Sequence, residues 1–238
     1  MNTTYDNFST GYSAADALPE ERASFIRKTY LHLAGAVLAF TLIEGYLIAS
    51  GRGAAIANTM LGGRYSWLIV LGAFMGISTL AQWWANSQTS KPLQYAGLGL
   101  FIAAESIIFL PLLFMAQARS NSLEIFGQAG ITTLGLFLGL TAVVFLTKKD
   151  FSFLGPILMI GGFVALGFIT AGIVFGFSLG SFFAFAMVAF AGGAILYDTS
   201  NILHRYNTNQ HVAASLSLFA SVALLFWYIL RIFMGSRN

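Results

Sequence analysis

The chain has 238 residues, of which 57% are hydrophobic and only 9% are charged. A soluble domain has about a quarter charged residues, so this composition excludes an ordinary soluble protein and indicates a polytopic membrane protein. The 12 basic and 9 acidic residues give a net charge of +3. The basic residues are dispersed and form no stripe of the kind that binds nucleic acid. Because cysteine is absent, there is no disulfide and no thiol-based metal site.

The N-terminal segment Met1–Ser24 is polar, lacks the features of a signal peptide, and predicts a cytoplasmic tail ahead of a membrane domain covering residues 25–238. Seven apolar runs follow, each long enough to cross a bilayer as a helix that satisfies its own backbone hydrogen bonds. We therefore predict an all-α membrane protein in the lipid bilayer. The predicted spans are Lys28–Ser50, Tyr65–Ala85, Leu93–Met115, Gly130–Thr147, Phe151–Phe177, Leu179–Leu203 and Val212–Met234.

The distribution of basic residues favours a cytoplasmic N-terminus by a small margin. With that orientation, seven basic residues lie inside and five outside. The inner ones are Arg22, Arg27, Lys28, Lys91, Lys148, Lys149 and Arg205, and the outer ones are Arg52, Arg64, Arg119, Arg231 and Arg237.

Two small-xxx-small patterns, Gly72–Gly76 and Gly135–Gly139, predict close packing of helices inside the bundle. Enzyme motifs are poor. The run Gly176–Gly180 matches the nucleophile-elbow pattern, but that motif needs a strand–turn–helix setting, which an all-helical chain does not provide. We therefore expect neither catalysis nor a cofactor.

Three acids lie inside the apolar runs: Glu44, Glu105 and Asp198. Glu105 lies about 18 Å into the third predicted span, near the bilayer centre. A carboxylate in hydrocarbon costs roughly 3 kcal/mol on insertion scales and needs a partner, a water path or a proton. Each acid is therefore a candidate ion or proton site. The alternatives are a structural, hydrogen-bonded acid at Glu44 and an interfacial helix cap at Asp198.

Helical spacing places Asp198, Asn201 and Arg205 on one face of the sixth span. His204 and His211 fall in the short predicted connection to the last span. A histidine beside a carboxylate could sense pH, although loop histidines are more often ordinary solvated side chains.

Two motifs resemble the signatures of a known family. The segment Gly192–Ile202, with its Tyr-Asp-Thr-Ser-Asn core, and the segment Lys149–Gly155 are similar to motifs of the Bax inhibitor-1 family. The segment Ser215–Arg231 is similar to the closing helix of that family. The resemblance extends from Phe25 to Gly235 and implies a seven-helix bundle with the last helix at its centre.

Some bacterial members of that family are pH-sensitive calcium leak channels. Their sensor is a pair of aspartates from the sixth and seventh helices, near an arginine at the end of the second. Asp198 matches the first aspartate, whereas the seventh-helix position falls at Ser221 and Ala220–Met234 holds no acid. There is also no arginine around Ala85–Ser90. In these respects the chain resembles the bacterial branch typified by modulators of a membrane-anchored ATP-dependent protease.

Two functions remain open for this inner-membrane protein. The first is a pH-modulated calcium or cation leak, in which calcium is the permeant ion and oxygen ligands contact it. The second is a non-transporting regulator that binds a membrane-anchored protease through the Met1–Ser24 tail. For the leak, the predicted ion or proton site is Asp198, Glu105, Asn201 and Ser221, with Asp198 and Glu105 as calcium ligands and Glu44, Arg205 and His204 as secondary residues.

Overall fold

A computed structural model describes residues 13–63, 65–119 and 122–235 of the chain. The described residues form eight helices, of which seven are long and apolar enough to cross a membrane. The helices are α1 (Pro19–Ala49), α2 (Arg52–Leu61), α3 (Ser66–Ala85), α4 (Lys91–Gln117), α5 (Ser122–Thr147), α6 (Leu154–Phe175), α7 (Gly180–His204) and α8 (His211–Gly235). The predicted all-α, seven-span fold is confirmed.

The ends of the helices differ from the predicted spans at several places. α1 begins at Pro19, where a proline and the following acids Glu20 and Glu21 favour a helix start. The last part of the predicted tail is therefore helical, and residues 1–12 of that tail lie outside the described residues. The short α2 was not predicted, because a helix of 10 residues cannot cross a bilayer.

The connection before the last helix is shorter than predicted. His204 is the last residue of α7 and His211 is the first of α8, so neither lies in the loop. The prediction was wrong because the polar residues around this turn hide helical ends from a hydropathy criterion. The turn itself is tightened by hydrogen bonds from Arg205 N and Tyr206 N to Asn201 O.

α8 lies at the centre of the bundle and packs against α1, α3, α4, α5 and α7. Most residues of α4 and α8 are buried, whereas α6 has one buried residue, Ala165, and packs chiefly against α7. α8 is therefore the central helix, α4 is largely enclosed beside it, and α6 lies at the edge of the bundle.

Of the glycines that the structure describes, Gly97 of α4 allows the closest approach between two helices, because the absence of a side chain leaves room for the backbone of α3. A Cβ atom on Gly97 would lie 2.5 Å from Ala81 O and 2.6 Å from Ala85 N. The prediction for the small-xxx-small patterns was wrong, since a Cβ on either glycine of Gly72–Gly76 or Gly135–Gly139 would meet no atom within 4 Å. These glycines lie on the outside of the bundle, a fact that spacing alone does not reveal.

Candidate functional site

The C-terminal third of α7 carries an acid that contacts the central helix. Asp198 lies six residues before the end of α7, about 9 Å along the axis, and is partly buried. Ser221 of α8 is buried and its hydroxyl donates to Asp198 Oδ2 at 2.6 Å. The structure thus places Ser221 opposite Asp198, at the position where the resemblance implies a second aspartate.

Several buried polar atoms lie on or beside the C-terminal third of α7. The hydroxyl of Tyr30 on α1 faces those of Thr199 on α7 and Thr141 on α5, and Asn201 Oδ1 on α7 has no hydrogen-bond partner among the described residues. Such groups are normally satisfied by protein or by ordered water, because leaving them unpaired costs about 1–3 kcal/mol each. The region around the C-terminal third of α7 is therefore polar enough to hold internal water.

Tyr206 closes this region at the end where α7 meets α8. It lies in the α7–α8 connection, and its hydroxyl is hydrogen-bonded to Ser217 Oγ at 3.0 Å. Burial raises the pKa of Tyr206 to about 12, opposed by the Ser217 hydrogen bond and reinforced by the negative charge of Asp198. Tyr206 was not singled out from the sequence. A signal was available in its hydrogen-bond partner, because Ser217 lies four residues before Ser221 on the same face of α8.

The N-terminal segment covers the same connection. Ser13 forms an isolated β-bridge with Asn207, and Ala14 N donates to Tyr206 O at 2.8 Å. The hydroxyl of Ser13 donates to His204 O at 3.0 Å. The described start of the chain is therefore attached to the end of α7 and to the connection that leads into α8.

The two motifs that carry the family resemblance are in contact. The hydroxyl of Ser200 donates to Asp150 Oδ1 at 3.3 Å and accepts a hydrogen bond from Phe151 N at 2.9 Å. A Cβ on Gly155 would lie 3.0 Å from the ring of Tyr197. The α5–α6 connection is thus fixed to α7 within a few residues of Asp198.

Asp150 stabilises that connection from an exposed position. Its carboxylate accepts hydrogen bonds from Ser152 N at 2.8 Å and from Ser152 Oγ at 3.0 Å. The backbone N–H of Ser152, the hydroxyls of Ser152 and Ser200, and the charge of Arg205 together lower the pKa of Asp150. Arg205 therefore acts on Asp150 rather than hydrogen-bonding Asp198, the acid with which it was predicted to share a helix face.

Glu105 lies apart from the Asp198 site. It is 7% exposed and lines a cavity of about 600 Å³ between α3, α4, α6, α7 and α8. Neither Asp198 nor Ser221 lines that cavity. The two acids of the predicted calcium site, Asp198 and Glu105, therefore have different surroundings. Among the residues that the structure describes, no three acids, histidines or cysteines gather as metal ligands.

The remaining candidate residues are dispersed. Glu44 is buried in α1, and neither of its carboxyl oxygens has a hydrogen-bond partner in the described part of the chain. The ring of His204 bonds within α7, through Nδ1 to Ser200 O at 2.9 Å. His211 lies against His32, with ring centroids 4.9 Å apart. Neither Glu44 nor His204 hydrogen-bonds Asp198.

Comparison with known proteins agrees with this arrangement of motifs. The profile of a family described as "Inhibitor of apoptosis-promoting Bax1" matches residues 22–238. The chain belongs to the Bax inhibitor-1 family. It is 30% identical over 245 residues to Bax inhibitor 1 of Schizosaccharomyces pombe, covering 100% of this chain and 86% of that protein.

Other relatives of the family come from bacteria and animals. An uncharacterized protein of Pseudomonas aeruginosa is 30% identical over 225 residues, covering 93% of this chain and 95% of the relative. Protein lifeguard 4 of Mus musculus is 28% identical over 233 residues, covering 95% and 91%. This chain is therefore a multi-pass membrane protein of the Bax inhibitor-1 family.

Proposed function

We propose that this Bax inhibitor-1 family protein is a passive, pH-modulated leak for calcium or other cations in the inner membrane, with a cytoplasmic N-terminus. The orientation is supported by the excess of basic residues at the inner ends of the helices. The function is supported above all by one contact, the 2.6 Å hydrogen bond that Ser221 of the central helix α8 donates to Asp198 of α7.

That contact matters because the partner of Asp198 is a neutral hydroxyl and not a positively charged side chain. No lysine, arginine or histidine in the described residues forms an ion pair with Asp198, and Ser221 supplies a neutral hydroxyl. Tyr206 in the connection is a titratable side chain close enough to interact with the charge of Asp198. A carboxylate at this depth that lacks a cationic partner is a favourable place for a proton or a permeating cation.

The surrounding structure supports a conduction path that is closed in this state. Tyr206 and the N-terminal segment cover the inner side of the Asp198 site. On the side facing α4, the rings of Phe101 and Phe219 pack edge to face, with centroids 6.1 Å apart, one helical turn inward of Glu105. Opening would require Tyr206 and this aromatic pair to move.

Calcium flux into proteoliposomes, measured across about pH 5 to 8, tests the proposal. Asp198→Asn keeps the volume and an oxygen that can accept from Ser221, but removes the charge. We expect flux in the wild type and a flattened pH profile in Asp198→Asn. Glu44→Gln is the matched control, because it makes the same chemical change at a buried acid away from Ser221. Absence of flux at every pH would refute the leak.

The replacement of the second aspartate by Ser221 favours one alternative, a regulator that binds a membrane-anchored protease and transports nothing. Without a carboxylate pair, the coupled titration that a shared proton provides is absent. The predicted handle for such a partner is the Met1–Ser24 tail. Co-purification of a protease that is lost when residues 1–12 are deleted would support this alternative, and retention of the protease would contradict the tail's role.

A further inference from the structure

The 600 Å³ cavity that contains Glu105 has the size of a small-molecule site. α3 packs on α4 and α6 packs chiefly on α7, which leaves a gap between these two pairs with α8 behind it. Ligand cavities typically have volumes of about 300–1,000 Å³. The space is therefore large enough for an organic molecule rather than only for an inorganic ion.

The walls of the cavity are predominantly apolar, and aromatic rings lie around its one carboxyl group. Phe101 and Phe109 lie one turn to either side of Glu105 on α4, and all three residues line the cavity. The ring of Trp227 packs edge to face on Phe109, with centroids 4.9 Å apart, and stacks on Trp67 at 6.3 Å. The negative faces of aromatic rings attract cations, most strongly those of tryptophan.

Glu105 itself lacks a protein partner. It is 7% exposed, and no hydrogen bond or ion pair joins it to the rest of the described chain. The one other charged residue that lines the cavity is Arg231, which lies seven residues beyond Leu224 on α8, about 10 Å farther toward the outer end. The cavity therefore presents one acid and, displaced along α8, one base.

From this arrangement we infer that the cavity binds a lipophilic organic cation, with the charged centre against the Glu105 carboxylate and the apolar substituents against the surrounding rings. Binding of such a molecule does not depend on the cation leak proposed above, and a binding measurement tests it without any measurement of flux. A hydrated inorganic ion would not use the aromatic walls, whereas a hydrophobic cation satisfies both the walls and the acid.

The test compares two probes of nearly the same shape and opposite charge, tetraphenylphosphonium and tetraphenylborate. Binding to the purified protein in detergent is followed by tryptophan fluorescence, since two of the four tryptophans, Trp67 and Trp227, line the cavity. We expect tetraphenylphosphonium to bind the wild type more tightly. Glu105→Gln should weaken its binding roughly tenfold and leave tetraphenylborate unchanged or strengthened.

Two further variants distinguish the effect of the Glu105 charge from the effect of the cavity volume. Glu44→Gln removes a buried acid outside the cavity and should leave both probes unaffected. Gly162→Leu should weaken both probes, because Gly162 lines the cavity and a Cβ there meets only Phe190, at 3.9 Å. If Glu105→Gln does not fold, the Gly162→Leu variant still tests whether the probes bind in the cavity, and the preference between the two probes still tests selection for a cation.

Three outcomes would overturn the inference. Equal binding of the two probes would show an apolar cavity without charge selection. Tighter binding of tetraphenylborate would assign the site to an anion held by Arg231. Tetraphenylphosphonium affinity that is unchanged in both Glu105→Gln and Gly162→Leu would place the probe in the micelle or elsewhere on the protein.

Discussion

Removing the Ser221 hydroxyl tests the contact between α7 and α8 on which the proposed function depends. The O···O distance of 2.6 Å falls in the range of about 2.5–2.7 Å expected for a hydroxyl that donates to a carboxylate. Hydrogen bonds between membrane helices average about 0.6 kcal/mol and reach about 1.7 kcal/mol. Because the acceptor here is a carboxylate and Ser221 is buried, we expect Ser221→Ala to lower the free energy of unfolding by about 1.5 kcal/mol.

Ser217→Ala is a closely matched control, since it makes the same change of volume one turn earlier on α8. It breaks a hydrogen bond of 3.0 Å to the neutral hydroxyl of Tyr206, so we expect a loss of about 0.6 kcal/mol. Unfolding in mixed detergent micelles, followed by circular dichroism, gives both values. A double-mutant cycle of Ser221→Ala with Asp198→Ala should show a coupling of about 1 kcal/mol. A cost for Ser221→Ala no greater than that for Ser217→Ala, or a coupling near zero, would refute the reasoning.

Two further predictions concern the packing and the connections of the bundle. Gly97→Ala should destabilise the protein by about 1–3 kcal/mol, because its Cβ would overlap the backbone of α3. Gly99→Ala on the same helix, where a Cβ meets nothing within 4 Å, should be neutral or stabilising in the same unfolding assay. The second prediction concerns acid. The pKa of Asp150 is lowered in the folded state, so its contribution is present above its unfolded pKa and is lost as pH falls through the folded value. The difference in melting temperature between wild type and Asp150→Asn should stay constant down to about pH 4 and shrink below it; a difference that grows on acidification would contradict this.

The spanning helices followed directly from hydropathy, because a backbone in hydrocarbon has to satisfy its hydrogen bonds within each helix. The same criterion missed α2, whose 10 residues do not cross a bilayer, and it misplaced the helix ends at His204 and His211. The misplaced ends occur where polar residues continue a helix beyond the apolar core, whereas α2 was missed because it is too short to span.

Predictions about contacts were less successful than predictions about spans. The glycines of Gly72–Gly76 satisfied a packing motif yet lie on the outside, whereas Gly97 permits the closest approach without belonging to either of the predicted patterns. Spacing along one helix determines which residues share a face. It does not determine which face another helix covers, since that depends on the positions of all the helices.

The sequence by itself determined that this is a seven-span membrane protein of the Bax inhibitor-1 type with three acids inside its apolar runs, because charge in hydrocarbon is rare and the family motifs are local. The tertiary structure alone decided what surrounds each acid. It gives Asp198 the hydroxyl of Ser221, leaves Glu44 without a hydrogen-bond partner among the described residues, and places Glu105 in an apolar cavity with several aromatic rings. These surroundings are contributed by helices distant in sequence, and helical periodicity contains no information about how such helices are arranged around one another.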